Sequence, residues 1–526
     1  MGWSSKFFAE LYKSTINPVF KLQFHDLGNG IGRDFVIFSH GQAPLKIGNG
    51  GVQVNGVTVI PSRWSVSFGG FSVAVVGDAS QLFQAVAKGS FASLFCQLGS
   101  SDFERIAIGQ LQGIRRNGFE DRLVLQFVDL LTAFQNTVNS EVGSFPSPST
   151  LNPPRQDLFY ELGTTRSITS NWAVGDSTLA VTNTTGIRRE TGKNGIVKIQ
   201  NSSSATPFYL EWDSFSAPNV LSTTPNGGDE AWPSTVAAYD CYTSTGSFIT
   251  VAAQLDDHPV DILGKILEST GTGTNGSLDT LPFEWSVGGV FGTGLFDQFD
   301  GNIQKTLISG VTTSNYKWRQ VYDQPLQNGI RDLLTTAANV GQWAVFRQGS
   351  FSWRSCSDPN EVQFIAGQIR DQDIFQVVSH DLFDPVQGEV YPISSLQYST
   401  TIPLNTLTRK DVGVTSGGRL ASLPASREII RSGRLIYSPD TNESDLANAD
   451  LQRMAKWDHW TFERVVLRCK IVTAQFVAGD VLEISSSKLH GILGEYQNQR
   501  ALVVSSSFDF SSNSSTIVLN VLTGER

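Results

Sequence analysis

A chain of 526 residues with a formal net charge of −10 holds about three or four domains' worth of material, and its acidity argues against phosphate neutralisation and nucleic-acid binding. Charged residues make up only 17% while glycine reaches 49 and aromatics 10%, a profile that suits strands and turns over helical bundles or disorder. No apolar run reaches the ~18 residues of a spanning helix, and the opening MGWSSKFFAELYKS has no leader-like apolar stretch, so a protein made and retained in a cytoplasm is expected.

Residues 1–137 read as antiparallel sheet. Phe20, Leu22 and Phe24 alternate with polar or small neighbours, and Phe35–Phe38 follows as a second strand. Asn55-Gly56 is a two-residue hairpin signal that would pair Val54 with Val57 and Val52 with Val59. The next strand has Trp64, Val66 and Phe68 in one phase and Phe71, Val73 and Val75 in the other, slipping by one residue at Gly69-Gly70. Such a slip turns side chains to the opposite face unless a bulge absorbs it, which predicts a strand bent at the glycine pair in a curled sheet or small barrel. A helix is expected over Leu82–Leu94. Strands at Ile106–Ile108 and Leu123–Phe127 flank an Asn117-Gly118 turn.

Residues 138–159 carry four prolines in VNSEVGSFPSPSTLNPPRQD and read as a semi-rigid linker, or an arm along a neighbour. From 160 to 250 a small β module is expected, with Leu179/Val181, Val197/Ile199 and Phe208/Leu210/Trp212 alternating between turns at Gly175-Asp176, Lys193–Gly195 and Asn226–Gly228. Arg188-Arg189-Glu190 reads as a solvated edge.

Residues 251–375 have α+β character. Asp257 and Pro259 open a helix whose stripe is Ile262, Leu263, Ile266 and Leu267, ended by Ser269–Gly271. The loop Gly271–Gly276 spells G-x-G-x-x-G, but it follows a helix C-terminus and precedes a proline, the reverse of a dinucleotide fingerprint. A second helix from near Asp323 has Leu326, Ile330, Leu333, Leu334 and Ala337 on one face and stops at Asn339 and Gly341. Behind it Trp343 and Val345 are expected to face Phe351 and Trp353 across a turn at Gln348-Gly349. Residues 376–526 return to strands after a helix at Asp445–Trp457: Val465–Ile471, Val481–Ile484, Leu502/Val504, Phe508/Phe510 and Ile517–Val521, a second barrel-like domain.

No catalytic, cofactor-binding or metal-binding residues are assigned, and an enzyme is not expected. Cys96, Cys241, Cys356 and Cys469 lack metal or redox spacing and read as free thiols. The acid pairs Asp229/Glu230, Asp256/Asp257 and Asp297/Asp300 each have a turn or cap explanation beside a glycosidase one. Among six histidines, His25 and His40 are candidates for proximity in a sheet, and His459 between Trp457 and Trp460 reads as packing.

Several stretches together resemble the hub proteins at the tail tip or baseplate of long-tailed bacteriophages. SRWSVSFGGFSVAVVGD is similar to part of one tube-like barrel, NWAVGDSTLAV…TGKNGIVKI…PFYLEW to a small β insertion, and LRCKIVTAQFVAGDVLEI…ALVVSSSFDF…TIVLNVL to a second barrel. HPVDILGKILESTGTGTNGSLD with PLQNGIRDLLTTAANVGQWAVFRQGSFSWR is similar to the hub's middle domain. The resemblance implies a mainly β, multidomain chain with two tube-like antiparallel β-barrel domains, a small β insertion and a helix–hairpin domain. It implies a structural virion component, assembled in the host cytoplasm: a homotrimer whose six barrels meet a hexameric tail tube and whose threefold face meets a spike or central fibre. Interfaces of that kind commonly bury about 2,000–5,000 Å². A distal tail or tail tube protein and a tape-measure protein would be neighbours, with genomic DNA passing unbound. Neither a wall-degrading domain nor an iron–sulfur cysteine cluster is present to be carried over. The alternatives are a hexameric distal-tail adaptor ring and a carbohydrate-binding or polysaccharide-degrading tail protein, the latter suggested by eleven tryptophans.

Overall fold

In a computed structural model the chain is described, short internal stretches apart, at residues 3–25, 35–60, 65–132, 162–200, 207–223, 241–259, 317–323, 329–355, 365–382, 391–399, 407–412, 425–436 and 460–525, with 262–263, 447, 450–451 and 454. Strands dominate, as the alternation predicts. The first group is α1 (Ser5–Leu11), β1 (Pro18–Phe24), β2 (Phe35–Phe38), β3 (Leu45–Ile60), β4 (Ser65–Ser67), β5 (Gly70–Gly77), α2 (Ser80–Ala85), β6 (Phe91–Leu98), β7 (Glu104–Arg116) and β8 (Arg122–Asp129). Next come β9 (Thr165–Ser167), β10 (Thr178–Ala180), β11 (Gly195–Gln200), β12 (Phe208–Ala217), β13 (Val220–Thr223) and β14 (Phe248–Val251). They lead into β15 (Ala253–Asp257), β16 (Trp318–Tyr322), α3 (Gly329–Asn339), β17 (Gln342–Arg347) and β18 (Ser350–Ser355). The last group is β19 (Gly367–Arg370), β20 (Ile374–Asp381), β21 (Tyr391–Ser399), β22 (Leu407–Val412), β23 (Ala425–Ile436), β24 (Trp460–Lys470), β25 (Val481–Gly491), β26 (Gly494–Asp509) and β27 (Ser514–Glu525).

The two ends of the chain share one sheet. Its 14 strands run β2-β1-β6-β7-β8-β5-β3-β26-β27-β24-β20, with β4 on β3, β25 on β26 and β19 on β25. The join is β3 against β26, at Ser505↔Thr58 and Phe508↔Val54. The hairpin that follows β26 also closes the N-terminal core: Phe510 lies 6.4 Å from Phe7 of α1 and 6.2 Å from Phe20 of β1, ring centre to ring centre.

Where the join is made, two strands change faces together. Val52 and Val54 of β3, with Phe71, Val73 and Val75 of β5, belong to the core under the N-terminal strands. Val57 and Val59, with Val66 and Phe68, belong instead to the core shared with the middle segment. Pairing passes from β5 to β4 without a slip, from Val54↔Phe71 and Asn55↔Gly70 to Thr58↔Ser67 and Val59↔Val66. The change of phase is therefore a true change of face. Asn55-Gly56 consequently does not turn the chain, as its dipeptide suggests; it lies inside β3, opposite the expected bend at Gly69-Gly70. Backbones crowd there: a Cβ on Gly69 would lie 2.0 Å from the Asn55 carbonyl oxygen, and one on Gly70 2.3 Å from that of Phe127.

The expected helix over Leu82–Leu94 ends at Ala85, and β6 takes its second half. Strand β6 pairs β1 and β7 and is buried on both faces, so its apolar run has no strand alternation to read. The short helix α1, capped by the Ser4 hydroxyl accepting from the Phe7 amide, has no counterpart in the sequence reading.

The expected small β module forms a six-stranded sheet, β10-β13-β12-β11-β14-β9, over a core that includes Leu179, Val181, Val197, Ile199, Phe208, Leu210 and Trp212. Asp323, just after β16, accepts from Lys198 Nζ at 2.8 Å and Tyr209 Oη at 2.9 Å and so ties this sheet to the β15–β16 pair. Of the helix expected after Asp257, Pro259, Ile262 and Leu263 are helical and buried; its later residues and the Gly271–Gly276 loop lie outside the described residues, as do residues 138–159 and the Asn226–Gly228 turn. Helix α3 buries Leu333, Leu334 and Ala337, and Gly341 after it takes φ +68°. The hairpin register differs from expectation by one residue: with two residues between the strands, Trp343 opposes Arg354 and Ala344 opposes Trp353. Of the helix expected at Asp445–Trp457, Ala447, Asp450, Leu451 and Met454 are helical and buried.

Replacing Gly69 with alanine is expected to lower stability by about 2–4 kcal/mol, since the contact is with backbone that cannot step aside. Gly113→Ala, where an added Cβ meets nothing within 4 Å, is the control and is expected to stay within about 0.5 kcal/mol of the parent. Equal denaturation midpoints for the two variants would contradict the close approach at the face change.

Candidate functional site

Of the acid pairs, Asp256/Asp257 lies among the described residues, and its two carboxyls take separate partners. Asp256 opposes Arg319 across the β15–β16 pair and holds its Nη2 at 2.8 Å, both side chains nearly fully buried. Asp257 accepts from the adjacent His258 amide at 3.1 Å, ahead of the amides that the expected cap would take, since the His258 carbonyl receives the first helical bond from Ile262, and it lies 3.4 Å from Lys193. Asp229/Glu230 and Asp297/Asp300 lie outside the described residues, as does His459. His25 Nε2 meets Ser93 Oγ at 2.9 Å, whereas His40 packs on Phe38. The β1–β2 register, Phe24↔Phe35 to Lys21↔Phe38, puts these histidines at opposite ends of the pair. Cys96, Cys241 and Cys469 are buried, and Cys356 lies outside the described residues; burial pushes the Cys96 thiol up, and Cys469 up to about 12, away from the reactive thiolate.

Tryptophan does not form a sugar platform among the described residues. Trp3, Trp172, Trp212, Trp318, Trp343 and Trp353 are all buried. Trp343 donates to the Ala478 carbonyl at 3.1 Å and Trp353 to Gln342 Oε1 at 2.9 Å, as packed indoles do.

A buried polar cluster holds an edge strand in place. Glu463 of β24 is fully buried; its Oε2 accepts from Tyr496 Oη at 2.5 Å and lies 2.9 Å from His380 Nε2, and its Oε1 accepts from the Ile492 amide at 2.6 Å. Burial first, then the bond to Glu463, pushes the Tyr496 hydroxyl up. The three side chains satisfy one another and fasten the C-terminal end of β20 to β24 and β26. At its N-terminal end, Asp371 accepts from Ser486 Oγ, Ser487 Oγ and the Ser487 amide, bonds that hold its carboxyl at about 2.

Between these fastenings β20 carries apolar groups to solvent. It ends the sheet path and, among the described strands, pairs with β24. Two bulges interrupt that pairing, one between Ile374 and Gln376 and one between Val377 and Ser379. The extra residues are Phe375 and Val378, each 55% exposed, with Leu382 44% exposed just beyond. A bulge re-aims a side chain, and here both present large apolar ones. Phe375 also lines a cleft of about 580 Å³ between β20 and the end of α1, together with Tyr12, itself 69% exposed, and the cations Lys13, Arg370 and Lys470. The geometry suits docking of another surface; no set of three His, Cys, Asp or Glu side chains placed to hold a metal occurs among the described residues. In the sequence β20 shows as Phe375-Gln376-Val377-Val378, a run too short to reveal the bulges.

A buried acid sits at the join between the chain's two ends. Asp129 closes β8, its amide donates to the Gly69 carbonyl at 3.1 Å, and it lines a cavity of about 40 Å³ with Trp3, Phe71, Ser506 and Phe508. Burial pushes its carboxyl up to about 7, against hydrogen bonds from the Leu131 and Thr132 amides that act downward.

No protein-family model and no curated protein sequence matches the chain. Among solved structures it is similar to a tail protein from Neisseria meningitidis MC58, at 8% identity and a TM-score of 0.38 over 96% of this chain and 97% of that one. It is also similar to the 43 kDa tail protein of prophage MuSo2 from Shewanella oneidensis, at 8% identity and 0.36 over 96% and 98%. A prophage tail protein from Listeria monocytogenes EGD-e aligns at 8% and 0.32 over 96% and 94%. Scores of this size do not establish a common fold.

Asp129 fixes a direction for the pH dependence of stability. Its folded value lies above the ordinary carboxylate value, so its contribution is fully present below about pH 4 and is lost as pH rises through about 7. Asp129→Asn, which keeps an acceptor for the Leu131 amide, is therefore expected to be more stable than the parent at pH 8.5, by about 2–4 kcal/mol. The gain should vanish near pH 4. Denaturant titrations at both pH values check this, and a constant difference between the two proteins would contradict it.

Proposed function

We propose that the chain is a structural, non-enzymatic subunit of a phage tail tip or baseplate, forming the hub ring that joins a sixfold tail tube to a threefold tip and leaves a passage for DNA. The observation that carries this reading is that the first and last strand groups build adjoining halves of one sheet, hinged at β3 and β26. A chain with two such halves can fill two ring positions, so three copies present six. Of the stretches that resemble hub proteins, SRWSVSFGGFSVAVVGD and LRCKIVTAQFVAGDVLEI lie in those two halves, NWAVGDSTLAV lies in the six-stranded module and GIRDLLTTAANVGQWAVFR lies in α3 and its hairpin. In this reading the domains are 1–137 and 376–526 as the tube-like pair, 138–159 as the arm, 160–250 as the insertion and 251–375 as the middle domain. A distal tail or tube protein, a tape-measure protein and a spike or fibre are the neighbours.

An adaptor ring of six copies would use one tube-like half per chain, and the second half has no place in it. A glycan-binding or glycan-degrading role finds no support in the six buried tryptophans or in the ion-paired Asp256. Gold-labelled antibody against the chain is expected to decorate the distal end of the tail in particles that carry it. Labelling of the capsid or the length of the tail, or release of sugar from host envelopes by the purified chain, would overturn the reading.

A further inference from the structure

Strand β20 has no described strand on its outer side, yet it is fastened at both ends by buried or multiply bonded carboxylates, Glu463 and Asp371. Rigid fastening with outward apolar groups is the construction of a docking face rather than of a loose margin. The bulges at Phe375 and Val378 also make β20 a poor template for adding another strand, so side chains, not a backbone ladder, would make the contact.

Charge narrows the occupant. Lys13, Arg370 and Lys470 line the neighbouring cleft with a single acid, Asp373, and Glu10 pairs with Lys13 at 2.6 Å. The cleft keeps a positive balance on a chain whose net charge is −10. Two such faces brought together about a twofold axis would oppose like charges, whereas the same face set against the acidic remainder of another copy would not. A head-to-tail contact of that kind closes into a ring when its rotation allows.

We infer that the face formed by Tyr12, Phe375, Val378 and the Lys13–Arg370–Lys470 cleft is where a second copy of this chain docks, through a different, acidic surface of that copy. The inference rests on the hub-ring reading for the closure of the contact, not for the surface itself.

The test is sedimentation velocity of the full chain across protein concentration at low and high salt, with three variants whose folding is checked by circular dichroism and melting. Phe375→Ser/Val378→Ser removes the apolar part and Arg370→Glu reverses one charge; Phe83→Ser removes an apolar group of similar exposure, 59%, on α2. The parent is expected to assemble, less tightly as salt rises. The double variant and Arg370→Glu should each raise the apparent dissociation constant at least tenfold with unchanged melting, and Phe83→Ser should behave as the parent. If both β20-face variants assemble like the parent, the surface is wrong while the ring reading stands on its labelling test. If the parent stays monomeric at every concentration, or binds its neighbour equally well at high salt, the inference is overturned.

Discussion

The structure depends on one close approach, the backbone of Gly69 against that of Asn55. Only with no side chain at Gly69 can β4 and β5 follow β3 in unbroken register while the apolar residues of both strands pass from one face to the other. That passage lets a single hairpin seal two cores. Below it, Val54 and Phe71 cover the N-terminal core; beyond it, Val59 and Val66 cover the middle one. The same place receives β26, so the last strands of the chain are built onto the first, and Phe510 reaches Phe7 and Phe20. A residue with a Cβ at this crossing would force the sheets apart where the chain's two ends are joined.

The polar groups that escape the surface serve the same assembly. Asp256 with Arg319 joins the paired strands β15 and β16, Asp323 with Lys198 and Tyr209 joins that pair to the six-stranded module, and Arg354 with Asp480 at 3.6 Å joins the hairpin behind α3 to the turn before β25. Buried pairs of this type contribute little net stability against an apolar alternative but penalise misplacement heavily. They bear on how the six-stranded module sits against the β15–β16 pair and how the α3 hairpin sits against the main sheet. Strand β20 is fixed by polar contacts as well, and there fixation is combined with large exposed apolar groups.

Much of this was legible in the residues. Alternation found β1, β7, β8, β24 and β27, the helical stripe found α3, and the phase slip at Gly69-Gly70 located the bend. The matching slip in β3 is equally visible, since Val52/Val54 and Val57/Val59 differ in phase, but Asn-Gly is so strong a turn dipeptide that it predicts a hairpin instead. Local chemistry lost there to a long-range pairing that no window of sequence contains. Strand β6, apolar on both faces, lost its period for the same reason. The fastening of β20 was not legible at all: His380, Glu463 and Tyr496 come from three strands far apart in the chain, and a bulge leaves no pattern until its partner strand is known.

The central claim is that one polypeptide supplies two adjoining positions of a ring. Counting copies of the chain at the tail end of intact particles, by symmetry in electron-microscopic reconstruction or by quantitative mass spectrometry against the tube protein, tests it most directly. Three copies beneath a sixfold tube are predicted, with the two sheet halves alternating around the ring. Six copies, or one, would contradict it.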